Sequence, residues 1–317
     1  MRHPLVLILA VLLPAIPAWS QTCADRSGNY TARISLCDQA LDASDNPGDA
    51  AFALAMKGEA QRMLGDYEAA AATLQQALEV TLDNSWVWVE LGNVRHDQGD
   101  LAGALAHYSA ALAVEDHADA WANGAEAWWQ FRMDQRCSDD ADNALRLDPE
   151  HAFANEMKGR CVTVLGRAQE AISYFDMAIA LAPGYQNAYW NKLAALAVLG
   201  RHQEVITTAD KAMSPDVVPN PNPVIEVDIL SRRLMAVAQM ESPETVTAGA
   251  LALLARYPDN LTALHILGRA LLDAGKAAEA DAATQILRSN PDDKQMAAIF
   301  HDTLARIDVA LDRLDDV

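Results

Sequence analysis

Apolar residues along the chain recur three and four positions apart, in stretches of about a dozen residues separated by short polar breaks, the pattern of amphipathic helices. In AFALAMKGEAQRMLGDYEAAAATLQQALEV, residues 51–80, this stripe runs on both sides of Gly65-Asp66. A glycine there supplies the left-handed backbone position that ends a helix. The next stripe begins within a few residues, so the two predicted helices must fold back as an antiparallel hairpin. Gly58 in the first helix and Ala70 in the second are small enough to let the backbones approach. Glycine inside a helix costs about 1 kcal/mol relative to alanine, so its recurrence needs a packing reason.

That recurrence has a period. Gly58 and Gly92 are thirty-four residues apart, as are Gly166 and Gly200, and Pro149 and Pro183. Glycines also pair seven apart, at Gly58/Gly65, Gly92/Gly99, Gly159/Gly166 and Gly268/Gly275, and alanines hold the register at Ala70, Ala104, Ala171 and Ala280. Large residues such as Leu74, Tyr108 and Phe175 fill the space further along each second helix, and Pro149, Pro183 and Pro258 close units. Asp66 and Asp100 follow the turn glycines, where negative charge favours a helix start.

Small residues at the eighth and twentieth places of each unit, glycine at the fifteenth, an aromatic or leucine near the twenty-fourth, alanine at the twenty-seventh and proline near the thirty-second resemble the tetratricopeptide repeat family. Units start near Ala51, Ser85, Ala118, Ala152, Gln186, Val227 and Leu261. The third departs from the pattern at Ala125, Arg132 and Cys137, the fifth at Leu193, and the sixth lacks both glycines. The resemblance implies an all-α, right-handed superhelical solenoid of about seven helix hairpins with capping helices at both ends. The expected organisation is a secretory signal (1–20), an N-terminal cap (21–50), five units (51–213), a proline-rich connection (214–226), two units (227–291) and a C-terminal capping helix (292–317).

The beginning of the chain carries the signal pattern: a basic start, an apolar run from Leu5 to Leu13, then Ala18-Trp19-Ser20, with cleavage expected after Ser20. That run is shorter than the roughly 20 apolar residues a membrane span needs. A periplasmic or secreted protein is expected, with no membrane insertion after cleavage. Four cysteines in an exported chain predict two disulfides, and sequence order favours Cys23–Cys37 and Cys137–Cys161. With 24 basic and 44 acidic residues the net charge is −20, which disfavours nucleic acid and anionic membranes as partners.

In the family, the first helix of each unit lines the inner surface. The resemblance therefore implies a protein or peptide partner in that groove, contacted by Trp86, Asn93, His96, Asn123, Glu126, Trp129, Glu156, Arg160, Trp190, Asn191, Arg232, His265 and Arg269. Amides suit an extended backbone, while Trp and Arg are common interface anchors. Trp88, Trp121 and Trp128 stand at places that pack between helices. Asn93 and Asn123 fit two places of the family's carboxylate clamp, but its lysines are missing. No HExxH or tight histidine spacing occurs, no phosphate loop, and no nucleophile elbow, so neither catalysis nor a cofactor or metal is expected. His107 and His117 are expected to be solvated. A self-assembling repeat element, or an accessory subunit of an envelope-assembly or cofactor-maturation system, is the competing expectation.

Overall fold

The computed structural model describes residues 23, 29–81, 83–288 and 294–311. The expected signal, residues 1–20, lies outside them. The described chain is all-helical and divides after Leu147 into two compact units.

In the first unit, α1 (Tyr30–Asp42) precedes three hairpins: α2 (Pro47–Met63) with α3 (Tyr67–Val80), α4 (Ser85–Asp97) with α5 (Leu101–Val114), and α6 (Ala118–Gln130) with α7 (Asp134–Leu147). Gly65 (φ 80°) and Gly99 (φ 79°) close the first two turns in the left-handed region, and Asp66 and Asp100 then cap the following helices by accepting from the Ala69 and Gly103 amides at 3.4 and 2.9 Å. The third turn uses Arg132, with φ 61°. The interior is largely alanine, with Leu74, Val87, Val94 and Tyr108 as its larger members. Its small residues are functional in packing terms. A Cβ on Gly58 would lie 2.6 Å from Leu74 Cγ, and one on Gly92 only 2.3 Å from the Tyr108 ring.

The start of this unit is pinned by a disulfide between Cys23 and Cys37, both fully buried, with Cα atoms 4.9 Å apart. Arg33, 2% exposed, donates to the Cys23 carbonyl at 3.0 Å and pairs with Glu59 of α2 at 2.6 Å. A buried guanidinium without such partners would cost several kcal/mol, so the contacts that Arg33 makes through Nε and Nη2 fix α1 against α2, while its buried Nη1 has no hydrogen-bond partner. The helix α2 begins at Pro47, where Asn46 accepts from the Gly48 amide at 2.9 Å, so the last residues of the expected cap (21–50) belong to the first hairpin. Proline is preorganised for a first helical position, whose N–H needs no partner.

The second unit contains α8 (Ala152–Val164) with α9 (Ala168–Leu181), α10 (Gln186–Val198) with α11 (His202–Ala212), α12 (Pro223–Val237), α13 (Pro243–Arg256), α14 (Leu261–Asp273) with α15 (Ala277–Arg288), and α16 (Lys294–Ala310). Gly166, Gly200 and Gly275 close its glycine turns at positive φ. One core gathers Phe175, Tyr189, Leu193, Leu196 and Ile229; another gathers Leu234, Leu253, Leu267 and Ile307. The expected connection 214–226 is shorter than the prolines suggested. Pro223 starts α12, capped by Asn222 accepting from the Val224 amide at 2.9 Å, so Pro223–Glu226 is helical. The remaining connection is tied down: Val218 is buried, and the Asn222 amide donates to Gln186 Oε1 at 2.8 Å. Cys137 in the first unit and Cys161 in the second are both buried and oxidised, and no described cysteine is free.

Candidate binding surface of the first helices

The first helices of the first unit carry a ladder of polar side chains. Arg62 of α2 pairs with Glu90 (3.1 Å) and Asp97 (2.8 Å) of α4. The Asn93 amide donates to Glu90 at 3.2 Å, and its carbonyl oxygen accepts from both Tyr108 Oη (3.0 Å) and Asn123 Nδ2 of α6 (2.8 Å). One turn on, the Gln130 amide nitrogen stands 2.8 Å from His96 Nε2. Burial pushes the Glu90 carboxyl up despite Arg62, whereas for Arg62 burial is outweighed by the two carboxylates and its pKa rises. His96 is held above its ordinary value by its hydrogen bond to Asp97 and, further off, by the charge of Glu126.

Three residues expected in the groove therefore meet directly or through one neighbour: Asn93 and Asn123 touch, and His96 reaches α6 through Gln130. Glu126 and Trp129 lie half-buried on α6. Trp86 is also half-buried, but it packs against the cores of both α2–α4 and the disulfide end, so much of its ring is structural.

In the second unit, Glu156 is 1% exposed and accepts from Asn191 Nδ2 at 2.6 Å and Tyr185 Oη at 3.4 Å, with Arg160 Nε 3.6 Å away. Trp190 donates its indole N–H to Asp228, which also pairs with Arg232 at 2.5 Å, and the Arg232 guanidinium lies 5.9 Å from the Trp190 ring. Glu156 is thus an internal acceptor, too buried to meet a ligand, and Trp190 and Arg232 form a self-satisfied pair. His265 and Arg269 differ. Both line a cavity of about 370 Å³ walled by Met235, Val246, Ile266 and Phe300. His265 is bonded to Thr303 at 3.0 Å and tilted against Phe300; burial and the Arg269 charge lower its pKa. Arg269 is exposed and makes no ion pair among the described residues.

Several expectations need correction. Trp88 is half-buried, packing against the cores around Leu74 and Tyr108 and stacking on His107 at 5.7 Å, whereas Trp121 and Trp128 are half-buried but not enclosed: Trp121 donates to Asp116 at 2.6 Å, and Trp128 lies under Arg136 at 4.6 Å. His107 is half-buried by that stacking, which lowers its pKa, and His117 Nδ1 is buried, so neither ring is simply solvated. Among the described residues, no group of three or more His, Cys, Asp or Glu side chains is placed to hold a metal, and no helix is long and apolar enough to cross a membrane.

A family model for the tetratricopeptide repeat matches residues 55–122 and 139–186, which include hairpins that carry the glycine and alanine register. The matched residues are tetratricopeptide repeats. Solved structures agree on the fold. PilF from Pseudomonas aeruginosa is similar with a TM-score of 0.58 at 18% identity, covering 68% of this chain and 96% of that one. PilW, described as a widely conserved type IV pilus biogenesis factor, gives 0.58 at 19%, covering 71% and 100%. A tetratricopeptide repeat protein from Parabacteroides merdae gives 0.51 at 18%, covering 80% and 97%. No curated protein matches the chain in sequence.

Proposed function

We propose that this protein is an exported, non-catalytic tetratricopeptide repeat scaffold that holds a protein or peptide partner against the first helices of its units. The observation that carries this reading is Arg269. In a chain with 44 acidic and 24 basic residues, an arginine without an ion-pair partner among the described residues opens onto a cavity walled by Met235, Val246, Ile266 and Phe300, with Glu241 and Asp273 also in its lining. Arginine beside apolar contact area is a common interface anchor. Export is supported by the signal pattern and the oxidised cysteines. Asn93 pairs with Asn123, Glu156 with Asn191 and Arg160, and Trp190 with Arg232 through Asp228, so within the expected contact set Arg269, beside His265, is the residue most open to a partner.

The test is capture of a partner from the native envelope fraction with the mature chain, followed by the variants Arg269→Ala and Trp129→Ala. Each should weaken capture of the same partner by about tenfold or more, with helical circular dichroism unchanged. Undiminished capture by both variants would place the partner elsewhere. A second reading, an accessory subunit of an envelope-assembly system, is favoured by the export signal together with the PilW-like fold; it predicts that the captured partner is itself an envelope-assembly component.

A further inference from the structure

The groove between α5 and α6 in the first unit contains none of the residues expected to bind a partner, yet it has the composition of a binding site. It encloses about 410 Å³, with Leu105 and Leu112 on one side, Trp121 and Trp128 on the other, and Asp140 of α7 beside them. The carboxylate is reached across bare backbone: a Cβ on Gly124 would stand 3.0 Å from Asp140 Oδ2.

Both indoles are held in place, Trp121 from outside the groove and Trp128 also by a hydrogen bond to Asp140 within it. Trp121 donates to Asp116, which is itself anchored by Arg146 at 2.7 Å, and Trp128 is sandwiched by the Arg136 guanidinium and tilted against Phe131. Asp140 makes no ion pair among the described residues, although Arg136 is near enough to act weakly on it. A half-buried carboxylate that is not neutralised by a cation is costly to keep. Aromatic faces and a carboxylate around an apolar slot are the groups that recognise an ammonium or guanidinium group on an aliphatic stem.

We propose that this groove is a second docking site, one that takes a lysine side chain, flanked by apolar residues, from a protein partner. The charge complementarity is local as well as global: Asp139 and Asp140 are adjacent on α7, and the chain as a whole carries −20. The aliphatic stem lies along Leu105, Leu112 and the indoles, and the ammonium meets Asp140. Burial pushes the Asp140 carboxyl up to about 6, against a hydrogen bond from the Trp128 indole and with repulsion from Asp139. An incoming cation reverses the first of these effects.

The site is tested on the full mature chain by following indole N–H resonances, assigned with Trp121→Phe and Trp128→Phe, while titrating acetyl-Leu-Lys-Leu-amide. The Trp121 and Trp128 signals should shift to saturation, and those of Trp86 and Trp190 should stay in place. The norleucine analogue of the peptide should bind about tenfold more weakly or not at all, and Asp140→Asn should abolish that preference. Equal shifts with the norleucine peptide, an unchanged preference in Asp140→Asn, or no movement of the two signals would each overturn the proposal. None of these outcomes depends on Arg269 or Trp129, so this site and the first-helix surface stand or fall separately.

Discussion

The missing side chain of Gly92 is occupied by the ring of Tyr108: a Cβ there would sit 2.3 Å from Cε1 and 2.5 Å from Cδ1. The same relation joins Gly58 to Leu74, Gly159 to Phe175 and Gly268 to Thr284. In the third hairpin both members change together, to Ala125 and Ala141, both fully buried. The exchange keeps the contact sterically possible while giving up the large side chain.

Gly92→Ala should therefore destabilise the protein by about 2 kcal/mol, the usual cost of overpacking a close-packed contact. Tyr108→Ala alone should cost about 3–5 kcal/mol. The double variant should be less destabilised than the sum of the two, because the added methyl then occupies vacated space. Denaturant unfolding of the four proteins measures the coupling, and simple additivity would contradict the packing account.

Arg132 holds the left-handed turn that glycine holds elsewhere, with φ 61°. A non-glycine residue there carries a steric cost of about 1–2 kcal/mol. Arg132→Gly should accordingly raise stability by roughly 1 kcal/mol, less the greater freedom that glycine gives the unfolded chain. Since Arg132 is exposed, little packing is lost. A lower midpoint in urea would show that the arginine has a stabilising contact that outweighs its backbone.

Cys37→Ser removes the Cys23–Cys37 bridge, which spans a sequence separation of 14. A loop of that length is worth about 3 kcal/mol in the chain-entropy account. The loss should fall on α1 and its contact with α2, so hydrogen exchange should accelerate across Tyr30–Asp42 while α4–α7 keep their protection. Uniform acceleration through the unit would mean that the bridge supports more than its own end.

Asp140 titrates from a folded value of about 6, raised by burial. A carboxyl with a raised folded pKa binds a proton more tightly in the native state. It contributes stability at low pH that is lost as pH rises from about 4 to about 6. Asp140→Asn, which keeps the shape and removes the charge, should then raise the melting temperature at pH 7.5 and leave it nearly unchanged at pH 3.5. Because the groove is open to solvent on one side, the gain at pH 7.5 should be on the order of 1 kcal/mol and not the full shift. Destabilisation at pH 7.5 would show that the charged form makes a favourable contact within the fold.

The hairpins were legible in the sequence because glycine, alanine and proline each perform a separate steric task at a fixed place, and such residues tolerate few substitutes. The helix start at Pro223 falls inside the expected connection because proline stops a helix when it is inside one but begins a helix when it is first. The binding surface was legible only as a set of positions. Periodicity gives the face of a helix on which Trp121 and Trp128 lie, but not how much of a large indole the neighbouring helix covers. The self-pairing of the ladder was missed for another reason. Asn93–Asn123 and His96–Gln130 join successive first helices at separations near the repeat length, a signal that only appears when complementary polar residues are compared between units and not within one.

Gly58, Gly92, Gly159 and Gly268 are each sixteen residues from the residue whose side chain fills their space, as is Gly124 from Asp140. The steric fit that holds a hairpin closed is therefore available as soon as a short stretch of chain has met itself, and closing so short a loop is entropically cheap. The tightest contacts of this array are local ones, and chains dominated by local contacts fold quickly. The hairpins can nucleate independently and zip to their neighbours afterwards, so the folding of the array does not have to wait for contacts between distant parts of the chain.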